Sequence, residues 1–369
     1  MLQRWQQFGH EIRSTTRDPL PDTFLWGAAY CGHQTDGNDV DSDTTFLENV
    51  EPTIFSQKSG ITDESWNLWR QDLDIAEGLG LNAFRFSTEW SRIEPEKGVI
   101  DQTGLDHYDE FVDGCLARGL APVATLNHFT APHWFAAEGG LLNPDAAGRF
   151  ADHCERVLQR IGDRLSLIVT LNEPNLYMIL AWMGLPDIVA KVERMTLQAA
   201  EAKAGVARKR QECYEVWKQT VAGDDFVGAQ NYEQIVYGDS GMLHPDAAPA
   251  QTNSNGTAIR SESLANTVCY LNELTGLLIV VTEHGIATDD DQQRCRFITE
   301  SMERLWDVKT AGVPVLGYFH WSLLDNFEWV SGYKTHLGLY SVDRDTMSRT
   351  PKPSAGVYAQ TINAYSQQS

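Results

Sequence analysis

The chain has 369 residues, 42% hydrophobic and 22% charged, with 51 acidic against 29 basic side chains and a formal charge of −22 at pH 7. That length suits one large core, and residues 1–369 read as a single domain, since barrels of alternating strands and helices commonly exceed the usual domain size. The acidic surface repels polyanions, which argues against nucleic acid or an anionic membrane as a partner and leaves a neutral small molecule open.

No apolar run reaches membrane-spanning length. The first 22 residues are interrupted by Arg4, Glu11, Arg13, Arg17 and Asp18 and hold no continuous apolar segment of the kind a secretory signal needs. Cys31, Cys115, Cys154, Cys213, Cys269 and Cys295 are scattered without CxxC spacing and read as reduced thiols, so a cytoplasmic location is expected.

In chain order, apolar runs suited to buried strands fall near 24–30, 83–89, 121–128, 165–171, 225–232, 277–283 and 315–323. Amphipathic stretches at 66–79, 105–118, 144–161 and 297–311 lie between them, which is the alternation of a parallel sheet covered by helices. Asn143-Pro144 reads as a helix cap and first turn, and Gly78, Gly80 and Gly119 as helix stops. Between Glu173 and Tyr232 there are two helical patterns, 186–204 and 207–221, and no strand-like run. Seven strands are therefore found where a closed barrel of this type needs eight.

Polar and aromatic residues follow the strands: Gln34, Glu89-Trp90, His128, Asn172-Glu173, Tyr232, Glu283 and Trp321. In a (β/α)8 barrel these positions converge on the C-terminal mouth. Glu173 and Glu283 each end an apolar run, Ser166-Leu-Ile-Val-Thr-Leu-Asn-Glu173 and Leu277-Leu-Ile-Val-Val-Thr-Glu283. Two carboxylates at one mouth suit glycoside hydrolysis, in which one carboxyl protonates the leaving oxygen while the other attacks or activates water. Eleven tryptophans supply flat apolar faces fit for sugar rings, although Trp26, Trp66 and Trp69 read as packing. His128 and His133 lack the spacing of a metal site, and Gly78-Leu-Gly80 precedes a strand, the reverse of a dinucleotide loop. No cofactor is expected.

An ordered set of motifs from Phe24 to Tyr358 resembles the family 1 glycoside hydrolases, the retaining β-glucosidases and β-galactosidases. It comprises Phe24-Leu-Trp-Gly-Ala-Ala, Gln34-Thr-Asp-Gly, Phe84-Arg-Phe-Ser87, Thr125-Leu-Asn-His128, Thr170-Leu-Asn-Glu-Pro174 and Val281-Thr-Glu-His-Gly285. Gly317-Tyr-Phe-His-Trp-Ser-Leu-Leu-Asp-Asn-Phe-Glu-Trp329, Gly338-Leu-Tyr-Ser-Val-Asp343 and Arg349-Thr-Pro-Lys-Pro-Ser-Ala355 complete it. The resemblance implies that Glu173 is the acid/base and Glu283 the nucleophile. It assigns Asn172 to the sugar 2-hydroxyl, and Gln34, His128, Trp321, Glu328 and Trp329 to the rest of the glycone. Arg85 is implied to pair with Glu283, and Tyr232 to donate a hydrogen bond to it. A retaining pair needs a separation of about 5–5.5 Å, and Glu173 is expected to be protonated through apolar surroundings and the Glu283 charge.

Departures from the family pattern are His284 where Asn is usual, Phe129 where Trp is usual, Gln230-Asn231 before Tyr232, and His336 where Arg is common. Glu328 favours an unphosphorylated sugar, because relatives acting on 6-phosphorylated sugars lack this acid. The join near 205–209 reads as the loss of about one βα unit in the strand 5 region. The resulting expectation is a (β/α)8 TIM barrel lacking that unit, acting as a retaining exo-β-glycosidase on small β-glycosides. The alternative is a catalytically impaired barrel that binds sugar or serves as a scaffold, and the exposed edges at the gap suggest a homodimer.

Overall fold

The structure, a computed structural model, describes residues 20–21, 23–176, 211, 215–232, 237–238, 241–242, 252–254 and 256–367. Seven strands form one parallel sheet: β1 (Leu25–Ala29), β2 (Ala83–Ser87), β3 (Ala121–Thr125), β4 (Leu167–Val169), β5 (Phe226–Asn231), β6 (Leu278–His284) and β7 (Val315–Trp321). Each lies within or one residue beyond an apolar run identified in the sequence. Their order across the sheet is β4-β3-β2-β1-β7-β6-β5, so β1 pairs with both β2 and β7, as in a ring. The sheet is a barrel of the (β/α)8 kind, nearly closed. Its break lies between β4 and β5, which are not paired with one another among the described residues.

That break coincides with the stretch lacking a strand-like run. The 186–204 pattern lies outside the described residues, and of the 207–221 pattern the helical turn Trp217–Thr220 and the 3₁₀ turn Val221–Gly223 fall within them. The long covering helices are α1 (Ser65–Gly78), α2 (Gln102–Ala117), α3 (Ala146–Ile161), α4 (Glu262–Thr275), α5 (Asp291–Thr310) and α6 (Pro353–Ser366). α3 begins later than the sequence suggests: Asp145 is its cap residue, and Asn143 acts two residues upstream, its Oδ1 accepting from Asp145 N at 2.8 Å. Gly80, with φ of +77°, turns the chain from α1 towards β2, as expected of a helix stop rather than a phosphate loop. None of the helices among the described residues is long and apolar enough to cross a membrane.

Strand alternation divides the core into two layers. Leu25, Ala83, Val123, Leu167, Val280 and Phe319 fill the barrel, while Trp26, Phe84, Phe86, Val281 and Tyr318 face the helices. Trp26 stacks on Trp306 and Tyr365, with ring centres 6.1 and 6.2 Å apart, which places it in packing. Trp66 lies on His107 and beneath Arg92, and Trp69 is buried, so these too are structural. Gly27 is required where it stands, because a Cβ there would meet the Phe319 ring at 2.3 Å. Cys31, Cys115, Cys154, Cys269 and Cys295 are free thiols, and Cys213 lies outside the described residues.

The antiparallel hairpin of Tyr340–Val342 and Arg349–Pro351 is tied to α1 by a buried ion pair. Arg349 Nε donates to Asp72 Oδ1 at 2.9 Å, with both side chains fully buried. The Asp72 carboxyl is pushed up by burial and drawn back by the Arg349 charge. Arg349→Met leaves that carboxylate without its cation, and removal of one partner of a buried pair costs about 3–5 kcal/mol. Thermal and urea unfolding of Arg349→Met should show a loss of that size; a midpoint equal to that of the parent protein would refute it.

Candidate active site

Every candidate residue but Arg85, which is midway along β2, stands at the C-terminal end of a strand or in the loop that follows. Gln34 is on the short helix Gly32–Thr35 after β1, Arg85 is on β2, and His128 follows β3. Asn172 and Glu173 follow β4, Tyr232 follows β5, Glu283 is on β6, and Trp321 ends β7, with Glu328 and Trp329 in the next loop. The sheet therefore gathers residues that are up to about 300 positions apart onto one face.

The orientation of Glu283 depends on an irregularity in β6. Val281 packs outward in the helix-facing layer, so strict alternation would turn Glu283 outward as well. The pairing of β6 with β7 shifts between Val281 and His284, and the extra residue brings Glu283 inward and His284 outward. His284 is there buried against Phe297 of α5, with Nδ1 2.9 Å from the Tyr318 hydroxyl, and burial pushes its pKa down to about 3. The histidine that departs from the family pattern thus faces away from the pocket. Gly285 follows because a Cβ there would lie 2.0 Å from the Trp321 carbonyl oxygen.

Glu283 is buried and held from several sides. Arg85 Nη1 donates to its Oε1 at 2.5 Å, the Tyr232 hydroxyl donates to its Oε2, and His128 Nε2 lies 3.9 Å from Oε1. Arg85 is itself fully buried, and it also donates to Thr125 Oγ1 (3.0 Å), the Thr282 carbonyl (3.1 Å) and Asn172 Oδ1 (2.7 Å). Asn172 Oδ1 accepts a second bond, from Gln230 Nε2 at 2.6 Å. With its oxygen taken twice, the amide presents Nδ2 to His128 Nε2 at 2.9 Å. Burial and the Arg85 charge push the His128 pKa well below its usual value, so the ring is neutral, accepts at Nε2 and carries its proton on Nδ1.

Glu173 lies in a different environment. It is partly exposed, has φ of +38°, and its pKa is raised to about 8 by the surrounding protein and then by the Glu283 charge, against the opposing pull of Arg85. Glu328 is likewise raised to about 8, by burial, while the Trp321 indole N–H donates to it at 3.2 Å. Gln34 Nε2 donates to the Phe327 carbonyl at 2.8 Å, which ties the first loop to the last. Trp321 stacks on His128 with ring centres 5.5 Å apart. His133, by contrast, is exposed and packs at a tilt on Phe46, with ring centres 4.3 Å apart.

Sequence reasoning missed Gln230, Thr125 and Asn326, whose bonds orient Asn172, Arg85 and Gln34. The available signal was position: Gln230 and Thr125 stand at the ends of strands, beside residues that were singled out. Buried polar atoms here without a protein partner include Gln34 Oε1, Gln230 Oε1, Asn326 Nδ2 and His128 Nδ1. A polyhydroxylated ligand has the donors and acceptors to satisfy such atoms.

The profile of glycosyl hydrolase family 1 matches residues 16–223 and 219–367. The chain belongs to that family. It is a glycoside hydrolase. The 1,4-beta-D-glucan glucohydrolase of Thermotoga neapolitana is 27% identical over 436 residues, covering 93% of this chain and 98% of that protein. Beta-glucosidase A of Thermotoga maritima is 27% identical over 441 residues, covering 93% and 97%. Both alignments are longer than this chain, in keeping with a lost segment. Among solved structures, a beta-glycosidase 33% identical superposes with a TM-score of 0.84, covering 95% of this chain and 98% of that one. The family 1 beta-glucosidase from Thermotoga maritima, 25% identical, gives 0.82 over 93% and 98%.

The Gln230–Asn172 bond joins the two strand ends that flank the break. Gln230→Leu keeps the size of the side chain and removes the donor, leaving Asn172 Oδ1 to Arg85 alone. Turnover of an aryl β-glucoside should fall about tenfold in kcat/KM. Equal kcat/KM values for the parent and Gln230→Leu would show that the bond has no bearing on the site.

Proposed function

We propose that the protein is a retaining exo-β-glycosidase, removing terminal β-linked glucose, galactose or a close relative from small glycosides, with Glu283 as nucleophile and Glu173 as acid/base. The observation that carries this reading is the contrast between the two carboxylates. One is gripped by a guanidinium and a phenol, and the other is raised to about 8 by burial and by its neighbour's charge.

In the proposed sequence, a Glu283 oxygen attacks the anomeric carbon while Glu173 donates its proton to the departing oxygen, so the aglycone leaves as an alcohol. Formation of the glycosyl ester removes the Glu283 charge that helped hold the proton on Glu173. Glu173 then takes a proton from the incoming water, whose oxygen attacks the same carbon and frees Glu283. Two inversions retain the configuration. Asn172, held by Arg85 and Gln230, is placed to bond the 2-hydroxyl, and Gln34, His128, Trp321, Glu328 and Trp329 serve the rest of the ring. A site built of such groups rejects a sugar that leaves them unpaired. Glu328 brings no positive charge to a 6-phosphate whether or not it is ionised, which favours a plain sugar.

The non-catalytic alternative has less support, because the carboxylate pair and its supports are assembled beside the break. A single domain and a cytoplasmic location remain part of the proposal.

Incubation with a 2-deoxy-2-fluoro β-glucoside, followed by intact mass and peptide mapping, should give one adduct per chain on Glu283. A folded protein without an adduct would count against the proposal. Glu173 must be protonated for the first step, so kcat/KM should decline as pH rises through about 8. That basic limb should vanish in Glu173→Gln assayed with an activated leaving group, and its persistence would assign the limb to another residue.

A further inference from the structure

Trp329 opens the 3₁₀ segment Trp329–Lys334 with φ of +47°, a conformation that a bulky residue keeps only where its surroundings hold it. One face of its indole lies against His33, with ring centres 5.5 Å apart and planes 9° from parallel. Its other neighbours belong to the pocket: His128, near-parallel at 6.3 Å, and the edge of Phe129 at 5.4 Å.

The His33 ring is fixed through Nε2, while Nδ1 faces a carboxylate without bonding to it. Nε2 is 3.0 Å from Glu48 Oε1, and Nδ1 is 4.0 Å from Asp39 Oδ2. Both carboxylates are anchored in turn: Glu48 Oε2 accepts from Ser59 N (2.9 Å) and Ser59 Oγ (2.8 Å), and Asp39 Oδ2 accepts from Ser91 Oγ (2.8 Å). The chain of contacts then returns to where it began. The Tyr333 hydroxyl donates to the Ser59 carbonyl and Tyr333 N donates to Gln57 Oε1 at 2.8 Å, and Tyr333 lies four residues after Trp329. Next to His33, the Gln34 carbonyl accepts from Phe327 N at 3.2 Å, so one dipeptide holds the 327–329 turn by ring and by backbone.

We propose that His33 is a positioning residue: its imidazole, bonded to Glu48 and facing Asp39, sets the plane of the Trp329 indole and thereby the shape of the sugar pocket. This rests on the placement of Trp329 in the glycone pocket under Proposed function. Burial opposes a charge on His33, but the neighbouring Asp39 and Glu48 carboxylates outweigh it and raise its pKa to about 9. The ring therefore stacks as a cation, the partner an indole face prefers. If His33 served only to satisfy Glu48, any donor of similar reach would do. If it sets the indole, the replacement must also be flat.

His33→Gln keeps a donor for Glu48 without the flat face, and His33→Tyr keeps a flat ring and a donor. In protein labelled with 5-fluorotryptophan, the Trp329 fluorine resonance, assigned by its loss in Trp329→Phe, should shift and broaden in His33→Gln and return towards the parent position in His33→Tyr. With an aryl β-glucoside, His33→Gln should raise KM about tenfold with a smaller effect on kcat, and it should add nothing in a Trp329→Ala background. An unmoved resonance in His33→Gln, or a KM effect that multiplies with that of Trp329→Ala, would overturn the inference. Should His33→Gln fail to fold, Glu48→Gln replaces it, because Glu48 acts on Trp329 through His33, and the same resonance should move. A parent protein that turns over no β-glycoside would remove the pocket assignment, while the fluorine spectrum would still decide whether His33 holds the indole.

Discussion

The site depends on one buried cation. Arg85 sits inside the barrel, flanked on β2 by Phe84 and Phe86, which turn outward into the helix-facing core. An unpaired guanidinium there would cost several kcal/mol, and the fold avoids this by surrounding it with acceptors from three other strands or strand ends. Thr125 ends β3, Asn172 follows β4, and Thr282 and Glu283 end β6. Satisfying Arg85 therefore aligns three separate strand ends at once, and the fork geometry of its five N–H groups makes that alignment directional rather than merely attractive.

The same cation divides roles among the acids. Glu173, Glu283 and Glu328 share one mouth, and Arg85 bonds only Glu283. Repulsion between like charges in a poorly solvated space favours protons on the other two, and both are raised to about 8, with burial the larger cause in each case. One carboxylate gripped by a guanidinium beside another raised towards its protonated form needs no separate device for each; the contrast follows from placing one guanidinium asymmetrically among three carboxylates.

Much of this was legible in the sequence because parallel strands are buried on both faces and so appear as apolar runs, with the next polar residue marking the mouth. His128, Glu283, Asn172 and Trp321 are found in that way, with motif resemblance supplying their roles and adding Arg85. Periodicity could not reveal the bulge before His284. A period of two sends Glu283 outward from Val281, and only the shifted register against β7 corrects it. Gln230 and His33 escaped for a different reason. Each acts on another side chain rather than on a ligand, and a residue type that serves a neighbour carries no spacing of its own. The start of α3 moved from Asn143 to Asp145 because several polar residues in a row can each begin a helix.

The break in the barrel bears on how such a site survives a lost unit. Strands β2, β1, β7 and β6 form an uninterrupted run of paired neighbours, and Arg85, Trp321 and Glu283 lie on it, so their relative positions do not depend on closure. Asn172, Glu173 and Tyr232 belong to the flanking strands β4 and β5, where ladder pairing across the gap is absent among the described residues. Side chains replace the ladder there: Gln230 reaches Asn172, Tyr232 reaches Glu283, and Asn172 reaches Arg85 and His128. A backbone ladder fixes register along a whole strand, whereas these bonds fix only the mouth. The mouth is where ångström precision matters for reaction, since a displacement of about 1 Å can cost 100-fold in rate. A barrel can therefore lose a strand from the side that carries fewer of its clamps and still tie Asn172 to Arg85 and Glu283, provided the hydrogen bonds at its rim join the two free ends.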